Sequence, residues 1–201
     1  FSDRIQLIRP SGIRKLFDIA QQMDNVISLG IGEPDFDTPT HIKAAAIKAI
    51  NEGYTHYTPN AGFPDLRAAL AQKVAEHNNL HYESNEVIVT NGGCTGALLL
   101  AMLALVNPGD EVIISDPGFV VYDAAVRIAN GIPVPIVVRE DTDFRLLPED
   151  VEKHITSKTR VLILNSPSNP TGSVQLHKDL KDLANLAQQH NFYVIADEVY
   201  E

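Results

Sequence analysis

From about residue 86 the chain alternates between two rhythms. Short apolar runs at Val87-Thr90, Val112-Ser115, Ile132-Val138, Val161-Asn165 and Tyr193-Ala196 predict strands. Between most of them apolar residues recur at helical spacing, near Thr95-Leu105, Val120-Ala129, Glu149-His154 and Lys178-His190. Strands and helices in alternation predict a layered α/β domain with a mainly parallel sheet, and right-handed crossovers place helices on both of its faces. The first 80 residues read differently. Residues 1-35 are extended and turn-rich around a helical candidate at Ile13-Gln22. Thr38 is placed to cap a helix whose first turn holds Pro39, whose apolar side is Ile42, Ala46, Ile47 and Ile50, and which Gly53 ends. A second helix carries Leu66, Ala69, Leu70 and Val74 at helical spacing. The pattern therefore divides the chain into an arm (1-35), a helical segment (36-80) and an α/β domain (81-201).

Composition narrows the function classes. With 44% hydrophobic and 21% charged residues, the sequence is that of an ordinary globular protein. Acidic residues outnumber basic ones 26 to 16, for a net charge of -10. There is no Lys/Arg cluster to neutralise a run of phosphates, which disfavours a nucleic-acid surface. No apolar run approaches the roughly 18 residues of a membrane span. The single cysteine, Cys94, excludes an intrachain disulfide and a cysteine-based metal cluster, and fits a reducing, cytoplasmic compartment.

The residues suited to chemistry follow the strands, where open α/β sheets collect their ligands. Thr90-Asn91-Gly92-Gly93-Cys94-Thr95-Gly96 leaves one strand and opens a helix. Its glycines let the backbone approach an anion, and the first helical turn supplies N-H donors, so a phosphate is the natural guest; a tight turn with close packing is the plainer reading. Cys94 there is either part of that loop or a small buried side chain. Phe119, at the next strand-to-helix junction, is placed to stack on a flat ring or to anchor its helix in the core. Asn169 is held between Pro167 and Pro170 in the loop Asn165-Gly172, as a donor or acceptor or as a cap on its own backbone. Asp197 ends the last strand, where a carboxylate suits a protonated ring nitrogen, and Tyr200 offers a phenol three residues on. Together these groups form a socket for a phosphorylated pyridine.

With these motifs the chain resembles the fold-type I pyridoxal-phosphate aminotransferases of the class I/II superfamily, and within them the prokaryotic and archaeal aspartate and aromatic aminotransferases. The likeness runs through Ser28-Phe36, Tyr57-Gly62 with Leu66-Arg67, the Gly92-Gly93 loop, Asn165-Gly172 and Asp197-Tyr200, in family order. It implies an α/β fold of the PLP-dependent transferase type I, ending before the last strands and the C-terminal domain. It also implies that 81-201 is part of the large cofactor-binding domain. The cofactor would be pyridoxal 5'-phosphate. By the resemblance, Gly92, Gly93 and Cys94 hold its phosphate, Phe119 stacks on the ring, and Asn169 and Tyr200 bond the phenolic oxygen. Asp197 partners the ring nitrogen, and the backbone of Gly32 lies where the substrate carboxylate binds. Tyr57 matches a tyrosine that reaches the neighbouring subunit's phosphate, which implies a homodimer with shared sites. Cys94 and Phe119 depart from commoner family choices, a hydroxyl or longer polar residue and a Trp.

The activity implied is exchange of an amino group between an L-amino acid, aromatic or aspartate by preference, and a 2-oxo acid such as 2-oxoglutarate. Asp197 and Tyr200 are the catalytic candidates on this chain. The Schiff-base lysine is expected in a Ser-x-x-Lys context after residue 201, and the substrate-carboxylate arginine in the C-terminal domain. Lys15, Lys43, Lys48, Lys73, Lys153, Lys158, Lys178 and Lys181 read as solvated positions, and neither Arg67 nor Arg127 fills the arginine's place. Residues 1-201 alone are therefore expected to be inactive, with the remainder disordered, cleaved or omitted. Carbon-sulfur lyases and decarboxylases of the same superfamily share the socket and stay open as alternatives, as does a non-enzymatic aminotransferase-like sensor domain. A nicotinamide dehydrogenase fits poorly, since no acidic residue follows the next strand in a ribose-binding role.

Overall fold

A computed structural model describes residues 2–8, 12, 19–20, 22–23, 25–27, 32 and 34–200. The helical candidate at Ile13-Gln22 and most of the Ser28-Phe36 motif lie outside the described residues. The chain forms two compact units, one of Phe1–Pro10 with Asn91–Glu201 and the other of Ser11–Thr90.

The first unit opens with a short helix, α1 (Asp3–Gln6), from which the Arg4 guanidinium donates to the Ile128 carbonyl at 3.2 Å. The other unit contains α2 (Thr40–Asn51) and α3 (Pro64–Asn78). Thr38 and Pro39 serve one position away from their expected places. The helix begins at Thr40, Pro39 is its cap residue, and no side chain bonds the cap. Proline suits this entry because its missing N–H is one that no helical carbonyl would have accepted. The other end is as expected. Gly53 takes φ +85°, its N–H reaches the Ile50 carbonyl, and that of Tyr54 reaches Ala49, a Schellman closure that L side chains resist. The apolar stripe of α2 is present but not covered, as no residue of the helix is buried among the described residues.

Val87-Thr90 is a correction. The segment is not part of the sheet: its β-branched residues hold Val87 extended (φ -102°, ψ 130°), but no strand lies alongside among the described residues. Its backbone is pinned within the unit instead. Val89 N–H donates to Ala61 at 3.0 Å, and the Arg67 Nε donates to the Val87 carbonyl at 2.8 Å. A strand is a property of a pair, and apolar β-branched residues supply only one member of it.

The remaining elements belong to the first unit: α4 (Gly93–Leu105), β1 (Glu111–Asp116), α5 (Val121–Ile128), β2 (Ile132–Val137), α6 (Pro148–His154), β3 (Thr159–Asn165), α7 (His177–His190) and β4 (Tyr193–Asp197). The strands make one parallel sheet in the order β2-β1-β3-β4. Side chains of the central strands alternate between two cores. Val112, Ile114, Val161 and Ile163 pack with Leu98, Met102, Tyr122 and Val126 of α4 and α5. Ile113 and Leu162 pack with Val151, Leu183 and Leu186 of α6 and α7. A sheet covered on both faces needs apolar residues at every position, which is why these strands read as unbroken apolar runs.

Strand β2 is an edge, and its two prolines say which side. Ile132 N–H and Val138 N–H donate to Asp110 and Asp116. Even positions therefore face β1, and the odd positions Pro133 and Pro135 face away, where no donor is needed. On the α6/α7 side, Arg145 is ion-paired with Asp179, whose side chain is 11% exposed in the first turn of α7. Breaking such a partly desolvated pair leaves a charge stranded, at a typical cost of about 3–5 kcal/mol.

Candidate functional site

The parallel sheet delivers all its carboxyl ends to one edge. Asp116, Asn165 and Asp197 are the last residues of β1, β3 and β4, and Asn165 lies beside Asp197 in register. Asp197 is the centre of the cluster that forms there. It is 7% exposed, and its Oδ2 accepts from the Tyr122 hydroxyl at 2.8 Å and from the Cys94 thiol at 3.3 Å. Among the described residues its Oδ1 accepts only a long bond from the Val199 N–H at 3.4 Å. The Asn165 amide donates to the Asp197 carbonyl at 2.9 Å, while its Oδ1 accepts the Asn169 N–H at 2.7 Å. Asn169 in turn donates its side-chain amide to the Tyr200 hydroxyl at 3.2 Å. Phe119 stands edge-on to Tyr122, with centroids 5.6 Å apart and planes at 85°.

The start of α4 completes the arrangement. Gly92, its cap residue, takes φ +81° and Gly93 φ +60°, left-handed conformations that only glycine adopts cheaply. They turn the backbone into a helix whose first turn holds Cys94, the residue that reaches Asp197. The structure thus brings Gly92, Gly93, Cys94, Phe119, Asn169, Asp197 and Tyr200 onto one edge of one unit. Gly32 and Tyr57 belong to the other unit, where both are exposed.

Two residues of this cluster have no role in the sequence reading. Tyr122 falls within the helical pattern near Val120-Ala129, and Asn165 at the end of the Val161-Asn165 run. The structure, not helical spacing, joins Tyr122 to Phe119, which precedes the helix and meets the Tyr122 ring at 5.6 Å. The expected nonparticipants are engaged elsewhere. Arg67 holds Val87, and Arg127 forms a two-bond pair with Asp123 at 2.7 and 3.0 Å. All lysines among the described residues are exposed. A polar depression of about 370 Å³, lined by Asn107, Asp110, Lys158, Arg160 and His190, sits at the amino ends of β1 and β3, on the opposite edge from Asp197.

Burial and the neighbouring carboxylate act together on the two donors. Burial, then the hydrogen bond to Asp197, pushes the Cys94 thiol up to about 11, and the same two causes move the Tyr122 phenol well above its ordinary range. Both groups are thus held protonated, as donors. At pH 8 the thiolate fraction of Cys94 is expected to be about one-hundredth that of an ordinary thiol, so iodoacetamide should label it about a hundredfold more slowly in native than in urea-unfolded protein. Equal rates would mean that the thiol is not bonded to Asp197. The linkage has a definite sign. Because folding raises the Cys94 value, its contribution is complete below about pH 9 and is lost as pH rises through about 11.

Residues 24–201 match the family described as aminotransferase class I and II. The chain belongs to that family. Among similar members, an aspartate aminotransferase of Pyrococcus abyssi is 50% identical over 200 residues, covering all of this chain and 51% of that protein. Aromatic-amino-acid aminotransferase 2 of Thermococcus litoralis is 46% identical with the same coverage. The solved structure of the Thermus thermophilus aspartate aminotransferase with maleate superposes with a TM-score of 0.94 at 42% identity, over all of this chain and 53% of that one. The chain spans about half the length of the curated relatives it matches. The aminotransferase class I and II assignment settles the fold class: a parallel sheet flanked by helices, of the pyridoxal-phosphate-dependent type I architecture. Among the described residues no helix is long and apolar enough to cross a membrane.

Proposed function

We propose that the whole protein is a pyridoxal-phosphate-dependent aminotransferase that moves an amino group between an L-amino acid, aspartate or aromatic, and a 2-oxo acid such as 2-oxoglutarate. The observation that carries this reading is the buried Asp197 carboxylate, whose Oδ2 is occupied by two protein donors and whose Oδ1 has, among the described residues, only a long backbone contact. The residues present fit the cofactor. Gly92, Gly93 and Cys94 open a helix, whose N-terminal end suits a phosphate. Phe119 supplies an aromatic face, Asn169 and Tyr200 a bonded amide and phenol suited to a phenolic oxygen, and Asp197 a carboxylate suited to a ring N–H.

When bound, pyridoxal 5'-phosphate supplies an electron sink for the pair left on the substrate's α-carbon when its proton is removed. Asp197 keeps a proton on the ring nitrogen, because a buried anion makes losing that proton costly. Asn169 and Tyr200 hold charge at the phenolic oxygen, and the Gly32 backbone takes the substrate carboxylate. Tyr57, fully exposed within its own chain, serves the phosphate of a partner subunit in a cytoplasmic homodimer with shared sites.

The test is an assay of the purified full-length protein with aspartate, tyrosine, phenylalanine and alanine as donors and 2-oxoglutarate as acceptor. Pyruvate and ammonia release are scored in parallel. Glutamate formation from aspartate or an aromatic donor supports the reading. Release of pyruvate or ammonia without glutamate replaces it with a lyase, and no turnover of any donor by cofactor-loaded protein removes it.

A further inference from the structure

Tyr122 touches both groups assigned to the cofactor ring. Its hydroxyl donates to Asp197 Oδ2 at 2.8 Å, and its ring meets Phe119 edge-on at 5.6 Å. It is itself 2% exposed and locked in the α4/α5 core beside Val112, Ile114 and Val126. A carboxylate on a single Cβ–Cγ bond rotates freely unless one oxygen is tied, and here the tie comes from a phenol that has nowhere else to go. Cys94 adds a second, longer tie to the same oxygen. Both donors converge on Oδ2, so Oδ1 is the oxygen left for a ligand.

We infer that Tyr122 is a positioning residue for the cofactor ring, orienting Asp197 through its hydroxyl and Phe119 through its ring. The inference rests on the reading under Proposed function. It divides one side chain into two separable contributions, since Tyr122→Phe removes the hydroxyl and keeps the edge contact, whereas Tyr122→Leu removes both. A filler of the core would show no such division.

The experiment measures the equilibrium affinity of the apo full-length protein for two probes. One is pyridoxal 5'-phosphate; the other is its carbocyclic analogue, with C–H in place of the ring nitrogen. Thermal melts confirm that each variant is folded. Tyr122→Phe is expected to weaken pyridoxal 5'-phosphate by about tenfold, the loss of one hydrogen bond to a charged group, and the analogue by less than about twofold. Tyr122→Leu is expected to weaken both probes, and pyridoxal 5'-phosphate more than Tyr122→Phe does. Equal weakening of the two probes in Tyr122→Phe, no change, or a gain in affinity overturns the assignment to Asp197. Identical behaviour of the Phe and Leu variants overturns the assignment to Phe119. Failure of the unmutated apo protein to bind pyridoxal 5'-phosphate is a different result, which removes the functional reading itself.

Discussion

Replacing Asp197 by Asn in the full-length protein is expected to lower kcat/KM for amino-group transfer by about two to three and a half orders of magnitude. Asparagine has the same shape, and its carbonyl oxygen still accepts from Tyr122, so the core beneath it is preserved. Only the charge is lost. Asp197 is 7% exposed, so water does not replace that charge at the ring nitrogen. Removing one partner of a buried, hydrogen-bonded charge pair costs about 3–5 kcal/mol, and each 1.4 kcal/mol is a factor of ten. Steady-state kinetics with aspartate and 2-oxoglutarate give the number. A variant within threefold of the parent would show that the carboxylate does not partner the ring. The loss should fall on kcat as well as kcat/KM, because the charge matters most when electrons flow into the ring.

Gly118→Ala is expected to destabilise the protein by about 3 kcal/mol, at the top of the range for an overpacked site. A Cβ at this position would lie 2.5 Å from the Ser115 carbonyl oxygen and 2.9 Å from the Ser115 Oγ. The carbonyl is the decisive contact. Ser115 lies in β1 opposite Ile136 of β2, which holds its main chain on that side and limits its retreat. The alternative is a shift of Gly118 itself, which carries Phe119 with it and should weaken cofactor binding too. Urea denaturation of the apo protein measures the first effect. Adding Ser115→Ala removes the Oγ contact but not the carbonyl contact, so the double variant should remain destabilised. A cost of Gly118→Ala below about 1 kcal/mol would mean that the turn relaxes freely.

The site was legible where a residue type and its place along the chain both carried the signal. Asp197 at a strand end, Phe119 at a strand-to-helix junction and glycines opening a helix each have few reasons to stand where they do. Tyr122 was not legible, because a tyrosine on an apolar helical face is most often core, and here it is both core and hydrogen-bond donor. Cys94 was half legible. Its place in the glycine loop was plain, but a sequence does not show that its thiol turns toward a carboxylate 103 positions later.

The sequence by itself determined the α/β layering, the four laddered strands to within two residues at each end, and the helix stop at Gly53. All of these follow from local pattern: apolar runs, helical periodicity and the backbone freedom of glycine. Tertiary structure decided what depends on pairing between distant segments. It left Val87-Thr90 outside the sheet, because a strand needs a neighbour. It also joined Cys94, Tyr122, Asn165 and Asp197 into one hydrogen-bonded cluster, because parallel strands bring their ends to one edge whatever their separation along the chain.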